Sequence, residues 1–227
     1  VIEGHHDWLA KIMVNHRKEP FSDVKFRQAL YYAIDREDLV QTGLRGFGLE
    51  GSAGLYASDN EWYNPGQEQY PYQPATAGRL LEEMGYVRDE KGQYAIEGYP
   101  DGIELLVTAD TERQGELIRK HLDDAGIRIN LRSVDSKTLD SLVMEWKYDL
   151  ALSGHGGLGA DPAVLNKVVL DMNSFNSARY DQDPKLNDVL NKQLAEMDPA
   201  KRKDLVDSAQ ELIAEDLPAL PLYYTNS

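Results

Sequence analysis

Residues 103–153 switch repeatedly between two hydrophobic periods, and this alternation limits the possible folds more than any other feature of the chain. Ile103–Thr108 reads as a strand and Glu112–Ala125 as an amphipathic helix stopped by Gly126. Ile127–Val134 reads as a strand, Ser136–Glu145 as a helix and Tyr148–Ser153 as a strand. Strands joined by helices long enough to cross back imply a layered α/β unit with parallel strands. Two further helices follow, Pro184–Met197 and Pro199–Glu215. Asp198 caps the second, Pro199 takes its first position, and Leu205, Val206, Ala209, Leu212 and Ile213 form its apolar stripe. Pro218 closes it, and Leu220–Tyr224 returns as a strand. No solenoid-length repeat or low-complexity tract is present, so the economical reading is one compact lobe.

The first hundred residues are less regular. Ile12-Met13-Val14 is the centre of a strand over Lys11–His16, which leads into residues 20–40, PFSDVKFRQALYYAIDREDLV. There Ser22 or Asp23 can cap a helix on which Phe26, Ala29, Leu30, Ala33 and Ile34 recur at helical spacing. Asp35 caps a second short helix, Arg36–Gln41, which Gly43 is expected to stop in a left-handed conformation. Residues 42–74 carry many glycines with Pro65, Pro71 and Pro74 and read as a long, partly ordered connection. Ala75–Met84 is helical and ends at Gly85, Tyr94–Ile96 is a short strand, and Asp101-Gly102 a turn.

Composition narrows the function. Of 227 residues, 41% are hydrophobic, enough for a filled core. Lys and Arg total 24 against 39 Asp and Glu, and the resulting net charge of −15 repels nucleic-acid phosphates and anionic lipid headgroups. Nucleic acid is therefore not an expected partner. With no cysteine there is no disulfide, thiolate nucleophile or Cys-bound metal, which fits an exported protein and equally many cytosolic ones. No apolar run reaches the length of a membrane span, and Val1–Trp8 lacks the basic start and apolar centre of a signal peptide.

The segment best suited to touch a ligand is Ser153–Pro162, SGHGGLGADP. Four glycines after a buried strand allow close backbone approach and leave amides free to donate, although a turn without a partner explains them equally well. Gly154, Gly156 and Gly159 also satisfy the dinucleotide spacing, but the following helix starts at Asp161-Pro162, beyond the last glycine, so its N-terminus cannot meet a pyrophosphate. Gly46, Gly48 and Gly51 match the same spacing after a helix. His155-Gly156-Gly157 is like an esterase oxyanion motif, yet no serine stands in Gly-x-Ser-x-Gly. No catalytic residues are assigned, and no carboxylate pair is placed about a reacting bond. None of the five histidines shows metal-pair spacing; His5, His6, His16 and His121 read as surface residues, and His155 as a polar ligand contact. Neither a metal site nor a cofactor is expected. Trp62, in the long connection, is the better ligand platform, and Trp146 reads as core.

The string over residues 20–40 resembles the "PFSDVRVRQALAYAIDREAIV" segment in the middle of family 5 extracellular solute-binding proteins of peptide and nickel ABC transporters. Tyr72–Tyr86 is similar to that family's "YDPEKAKALLAEAGY", with Gln73 in place of the usual Asp. Ala125-Gly126-Ile127 resembles its "GI" before a strand, Tyr148-Asp149 its "YD", Asp161-Pro162 its "DP", and Leu217–Leu222 its "LPxIPL". These matches fall in the family's order along most of the chain.

The resemblance implies a type II periplasmic-binding-protein-like α/β fold, here one lobe with a layered mixed sheet and flanking helices. Residues 1–227 would form the C-terminal lobe of a two-lobed protein, with the N-terminal lobe and a targeting segment lying outside the chain. The function implied is that of a substrate-binding component of an ABC importer. A peptide or related small polar solute would be trapped between lobes and delivered to a membrane permease by a monomer at the periplasmic or extracellular face, with a lipid anchor possible in the full-length protein. The alternatives are a solute-sensing domain of a transcriptional regulator and a nickel or metal-chelate carrier of the same family. Residues expected to face the cleft are His155, Gly156, Gly157, Leu158, Asp161, Trp62, Asn176 and Arg179. In the family's peptide binders an Asp in the loop after "YD" pairs with the peptide ammonium; its position here is Leu158, which cannot supply that bond unless Asp161 takes the role.

Overall fold

A computed structural model of the chain describes residues 6–159, 161–171, 173, 174 and 183–226. The first strand, β1 (Trp8–Val14), leads through a turn into α1 (Val24–Tyr32), whose N-terminus is capped by the Asp23 carboxylate accepting from the Lys25 amide. Asp35 caps the short α2 (Arg36–Asp38) by accepting from the Asp38 amide. A π-helical turn, Leu39–Gly43, continues it. Gly43 is not the left-handed stop that the sequence suggests: the positive φ angles fall on Arg45 and Gly46. Gly43 instead lies against the next long helix, where a Cβ would stand 3.4 Å from Leu117.

The chain continues through β2 (Leu49–Glu50), α3 (Pro74–Glu83), β3 (Ile103–Val107), α4 (Glu112–Asp124), β4 (Ile129–Ser133), α5 (Ser136–Met144) and β5 (Leu150–His155). It ends with α6 (Val164–Val169), α7 (Pro184–Ala195), α8 (Pro199–Asp216) and β6 (Ala219–Thr225). Tyr94–Ile96 is not a strand; an isolated bridge joins Arg88 to Tyr94. Gly85 and Gly126 do end α3 and α4 with positive φ, as their positions predict.

The strands form one mixed sheet in the order β2-β6-β1-β5-β3-β4. The β3–β4 and β3–β5 pairs are parallel, as the strand and helix alternation requires, while β1 runs antiparallel to both β5 and β6. β1 therefore lies inside the sheet, joining the parallel half to the end of the chain.

Side-chain alternation sorts the strand residues onto two faces. Ala10, Ile12, Val14, Leu105, Leu150, Leu152 and Leu220 join the largest apolar cluster, with residues of α1, α3 and α4. On the other face Leu9 and Tyr224 pack with α6, α7 and α8, while Met13, Leu106 and Ala151 pack with α5. Lys11 stands between Leu9 and Met13 on β1, is 1% exposed, and burial pulls its ammonium down to about 7.

The end of α8 is held by a side chain from α1. Arg27, buried, donates through Nε and Nη2 to the Asp216 carbonyl, through Nε to the Leu217 carbonyl, and through Nη1 to the carbonyls of Phe21 and Ser22. Leu217 itself is left-handed, with φ of 46°, and Pro218 follows it. One guanidinium thus satisfies carbonyls left open at a helix end and fixes where β6 begins.

Candidate ligand-binding edge

The carboxyl ends of β3, β4 and β5 share one edge of the sheet. Leu9 of β1 faces His155 of β5, and Trp8 faces Thr225 of β6, so the start of β1 and the end of β6 lie at this same edge. In open α/β sheets ligands bind outside the carboxyl ends of the strands. The glycine loop leaves β5 here.

Within the loop, Gly154 has no room for a side chain: a Cβ would lie 2.7 Å from Trp8 Nε1 and 2.8 Å from the Leu9 carbonyl. A Cβ on Gly156 would also meet the Trp8 ring, at 3.5 Å. The missing side chains let the indole lie across β5 while Trp8 remains 42% exposed. Gly157 has φ of 89°, a conformation that favours glycine. Asp7 packs against Gly159, where a Cβ would stand 3.2 Å from that of Asp7.

His155 is buried on the Lys11 face of the sheet, with its Nδ1 2.9 Å from the Gly156 carbonyl. Burial, reinforced by the Lys11 charge and opposed by that carbonyl, holds the imidazole at about 3, so it is neutral near pH 7. It is a fixed polar group of the loop rather than a mobile one at the surface.

Leu158 does not present its side chain at the edge. It is buried with Leu9, Tyr56 and Leu165 in the cluster beneath α6–α8, and its carbonyl accepts from Asn60 Nδ2 at 2.8 Å. Asp161 is engaged by Arg202 of α8, whose Nη1 and Nη2 meet its two oxygens at 2.9 and 2.5 Å. Hydrogen bonds from Arg202 and from the Ala163 amide draw this exposed carboxyl below the usual range. Trp62 is half-buried against the same cluster; its amide donates to Asn60 Oδ1, and its carbonyl accepts from Gln210. Asn176 and Arg179 lie outside the described residues. The structure therefore brings together His155, Gly156 and Gly157, with Asp161 two residues beyond Gly159, and holds Leu158 and the Trp62 backbone in the supporting layer.

Sequence reasoning passed over Lys11 and Arg202, and left Trp8 as either a core or a cleft residue. Their signal is weak in the sequence, because each matters through a strand pairing or ion pair with a distant segment. Nor are the histidines mainly on the surface: His16, 5% exposed, lies 2.8 Å from the Pro218 carbonyl, and His121, 5% exposed, lies 2.8 Å from Asp38 Oδ2. His5 lies outside the described residues, and no cluster able to hold a metal is found among the described ones. Trp146 is half-buried beyond α5, under the Arg17 guanidinium at 4.2 Å, and is not a core residue.

This mixed sheet, with its helical layers and its strand ends gathered at one edge, is a type II periplasmic-binding-protein-like α/β fold. It superposes on NikA from Brucella suis in complex with Fe(III)-EDTA with a TM-score of 0.84 at 21% identity, covering 97% of this chain and 46% of that one. A mannohexaose-bound periplasmic oligopeptide-binding protein from Thermotoga maritima superposes with a TM-score of 0.86 at 23% identity, covering 98% and 45%. The family model for bacterial extracellular solute-binding proteins, family 5, middle region, matches residues 2–177, and the chain belongs to that family. Curated relatives include heme-binding protein A of Haemophilus influenzae, 25% identical over 96% of this chain and 39% of its own length. The periplasmic oligopeptide-binding protein OppA of Escherichia coli is 26% identical over 93% of this chain and 38% of its own length. The chain thus spans about two fifths of these relatives. No helix among the described residues is long and apolar enough to cross a membrane.

Proposed function

We propose that this chain is the C-terminal lobe of the substrate-binding component of an ABC importer, and that the edge carrying the glycine loop is one wall of a cleft between two lobes. The observation that carries this reading is the placement of β1 beside β6. The chain enters and leaves the lobe at neighbouring positions on one edge, which gives a two-stranded connection about which a second lobe can close. The match to about two fifths of each relative supports a second lobe encoded outside this chain. His155 and the amides of Gly156 and Gly157 contact the solute, with Asp161 at the margin. The protein acts as a monomer outside the cytoplasmic membrane, delivers its solute to a permease and catalyses no reaction.

Relatives are named for heme, oligopeptides and dipeptides. For this chain a peptide with a free N-terminus is disfavoured. Leu158 is buried and uncharged, and Asp161 is already bound by Arg202. A blocked or modified peptide, or another small polar solute, fits this wall better. Calorimetric titration of the full-length protein against free peptides, N-acetylated peptides, metal chelates and oligosaccharides tests the reading. Saturable binding in any class supports solute capture, and no binding in every class refutes it.

A further inference from the structure

Trp8 opens β1 beside the glycine loop, and its ring occupies space that side chains of β5 would otherwise fill. Gly154 and Gly156 stand two residues apart, so strand alternation turns both to one face, opposite the buried His155 between them. A Cβ on Gly154 would meet Nε1 and Cε2 of the indole at 2.7 and 3.2 Å, and one on Gly156 would meet Cε3 and Cζ3 at 3.5 and 4.0 Å. The pyrrole side of the ring thus rests on one glycine and the benzene side on the next. The indole lies broadside along the end of β5, with one face on backbone. Trp8 is nevertheless 42% exposed, so its other face is open.

Glycine weakens a strand and marks places where another group comes close. Here two of them make a floor for one ring. A second exposed aromatic stands at the same edge. Leu49 of β2 pairs with Tyr224 of β6 as Trp8 of β1 pairs with Thr225, so the turn before β2 emerges beside the start of β1 with β6 between them. Phe47 on that turn is 80% exposed. The turn is fixed: Gly46 has φ of 81° and donates its amide to the Val40 carbonyl at 2.9 Å, and a Cβ on Gly48 would stand 2.7 Å from the Tyr224 carbonyl. Among the described residues the exposed large aromatic side chains are Trp8, Phe47 and Tyr72, and the first two share this edge. The net charge of −15 opposes an anionic ring. A neutral group with a flat face meets no such penalty and gains stacking contact with the indole.

We propose that Trp8 is a stacking platform of the solute wall, and that the solute carries a neutral ring whose flat face lies on the open side of the indole. The ring is an aromatic side chain of a peptide or a pyranose of a saccharide, which share this face. The proposal rests on the reading of this edge as one wall of a solute cleft, and adds to it the shape of the group that is held.

Fluorine NMR of the full-length protein carrying fluorinated tryptophan tests the platform, with the Trp8 resonance identified by its loss in Trp8→Phe. The calorimetric panel is used with N-acetylated alanine peptides made with and without one phenylalanine, and with cellotetraose as the saccharide. A ring-bearing ligand is expected to bind and shift the Trp8 resonance. Trp8→Ala is expected to weaken it about tenfold and Trp8→Phe, which keeps a ring, about threefold, while a ligand without a ring changes less than about twofold. A shift with the phenylalanine peptide alone assigns the platform to aromatic side chains, and a shift with cellotetraose alone assigns it to sugars. The proposal is overturned if ring-bearing ligands bind with the Trp8 resonance unmoved, a result that stands whether or not Trp8→Ala folds, or bind equally well to Trp8→Ala. It is also overturned if the ligand-free Trp8 resonance shows no solvent isotope shift, because a second lobe would then already cover the ring. Binding confined to ligands without rings removes the platform and leaves solute capture standing, whereas no binding in any arm removes both.

Discussion

Two kinds of buried polar side chain divide the electrostatic work of this chain. Arg27 stays charged and spends its donors on the carbonyls of Phe21, Ser22, Asp216 and Leu217. Replacing it with Met keeps the volume but strands those carbonyls, so Arg27→Met is expected to lose about 3 kcal/mol in urea unfolding. A loss below about 1 kcal/mol would show that water reaches the end of α8. His16 and His155 behave oppositely and stay neutral. Burial, then the Arg27 charge, holds His16 at about 3 against the pull of the Pro218 carbonyl, and His155 is likewise held at about 3. Both rings titrate near 6.5 when unfolded, so below that pH the unfolded state takes up protons that the folded state refuses. Stability is then complete above about pH 6.5 and declines as pH falls towards 3, by up to about 1.4 kcal/mol per pH unit for each histidine. Denaturant unfolding at pH 7, 6 and 5 should show this slope, and a His16→Asn, His155→Asn double variant should flatten it. Carboxylates such as Asp38 and Asp161, whose pKa values are lowered, add their loss at more acidic pH.

At the scale of the elements, the contact between β1 and the glycine loop depends on absent side chains. Gly154→Ala would drive a Cβ into the Leu9 carbonyl and the Trp8 indole, so the strands must separate or the indole must lift. The expected cost is about 1–3 kcal/mol, with a red-shifted Trp8 emission best read in a variant lacking Trp62 and Trp146. Unchanged stability and emission would mean that the indole does not rest on β5. The same pair of elements marks how far the sequence could be read. The β3-α4-β4-α5-β5 course was legible because each element repeats its own period and Gly126 punctuates it; Asp198 and Pro199 marked α8 equally well. The start of β1 was not legible, since Trp8 is exposed and its pairing partners, His155 and the β6 end, lie far along the chain. Gly43 misled because glycine serves close packing as often as a left-handed turn, and Leu117 on α4 settles which. In the candidate site, the glycines announced the loop, but not the inward turn of Leu158 or the Arg202 that engages Asp161. Those depend on helices folded beneath the loop.

For the whole molecule, the position of β1 and β6 matters more than any single contact. Both strands lie inside the sheet and are bonded to each other up to the edge where Trp8 and Thr225 stand side by side. Motion between this lobe and a second one would therefore concentrate in the segments just beyond those residues rather than within the sheet. A ligand that touches both lobes shifts such a hinge in proportion to its extra affinity for the closed form. The expected outcome is a smaller radius of gyration for the full-length protein when a solute from the calorimetric panel is added, measured by solution X-ray scattering. Gly156→Pro, which removes one of the loop's amide donors, should weaken both the calorimetric binding and the compaction while this lobe keeps its circular dichroism. Binding without any change in radius would reject the hinge, because the solute would then contact one lobe alone. Compaction in the variant at wild-type ligand concentrations would instead remove the Gly156 amide from the wall, leaving His155 and the Gly157 amide to hold the solute.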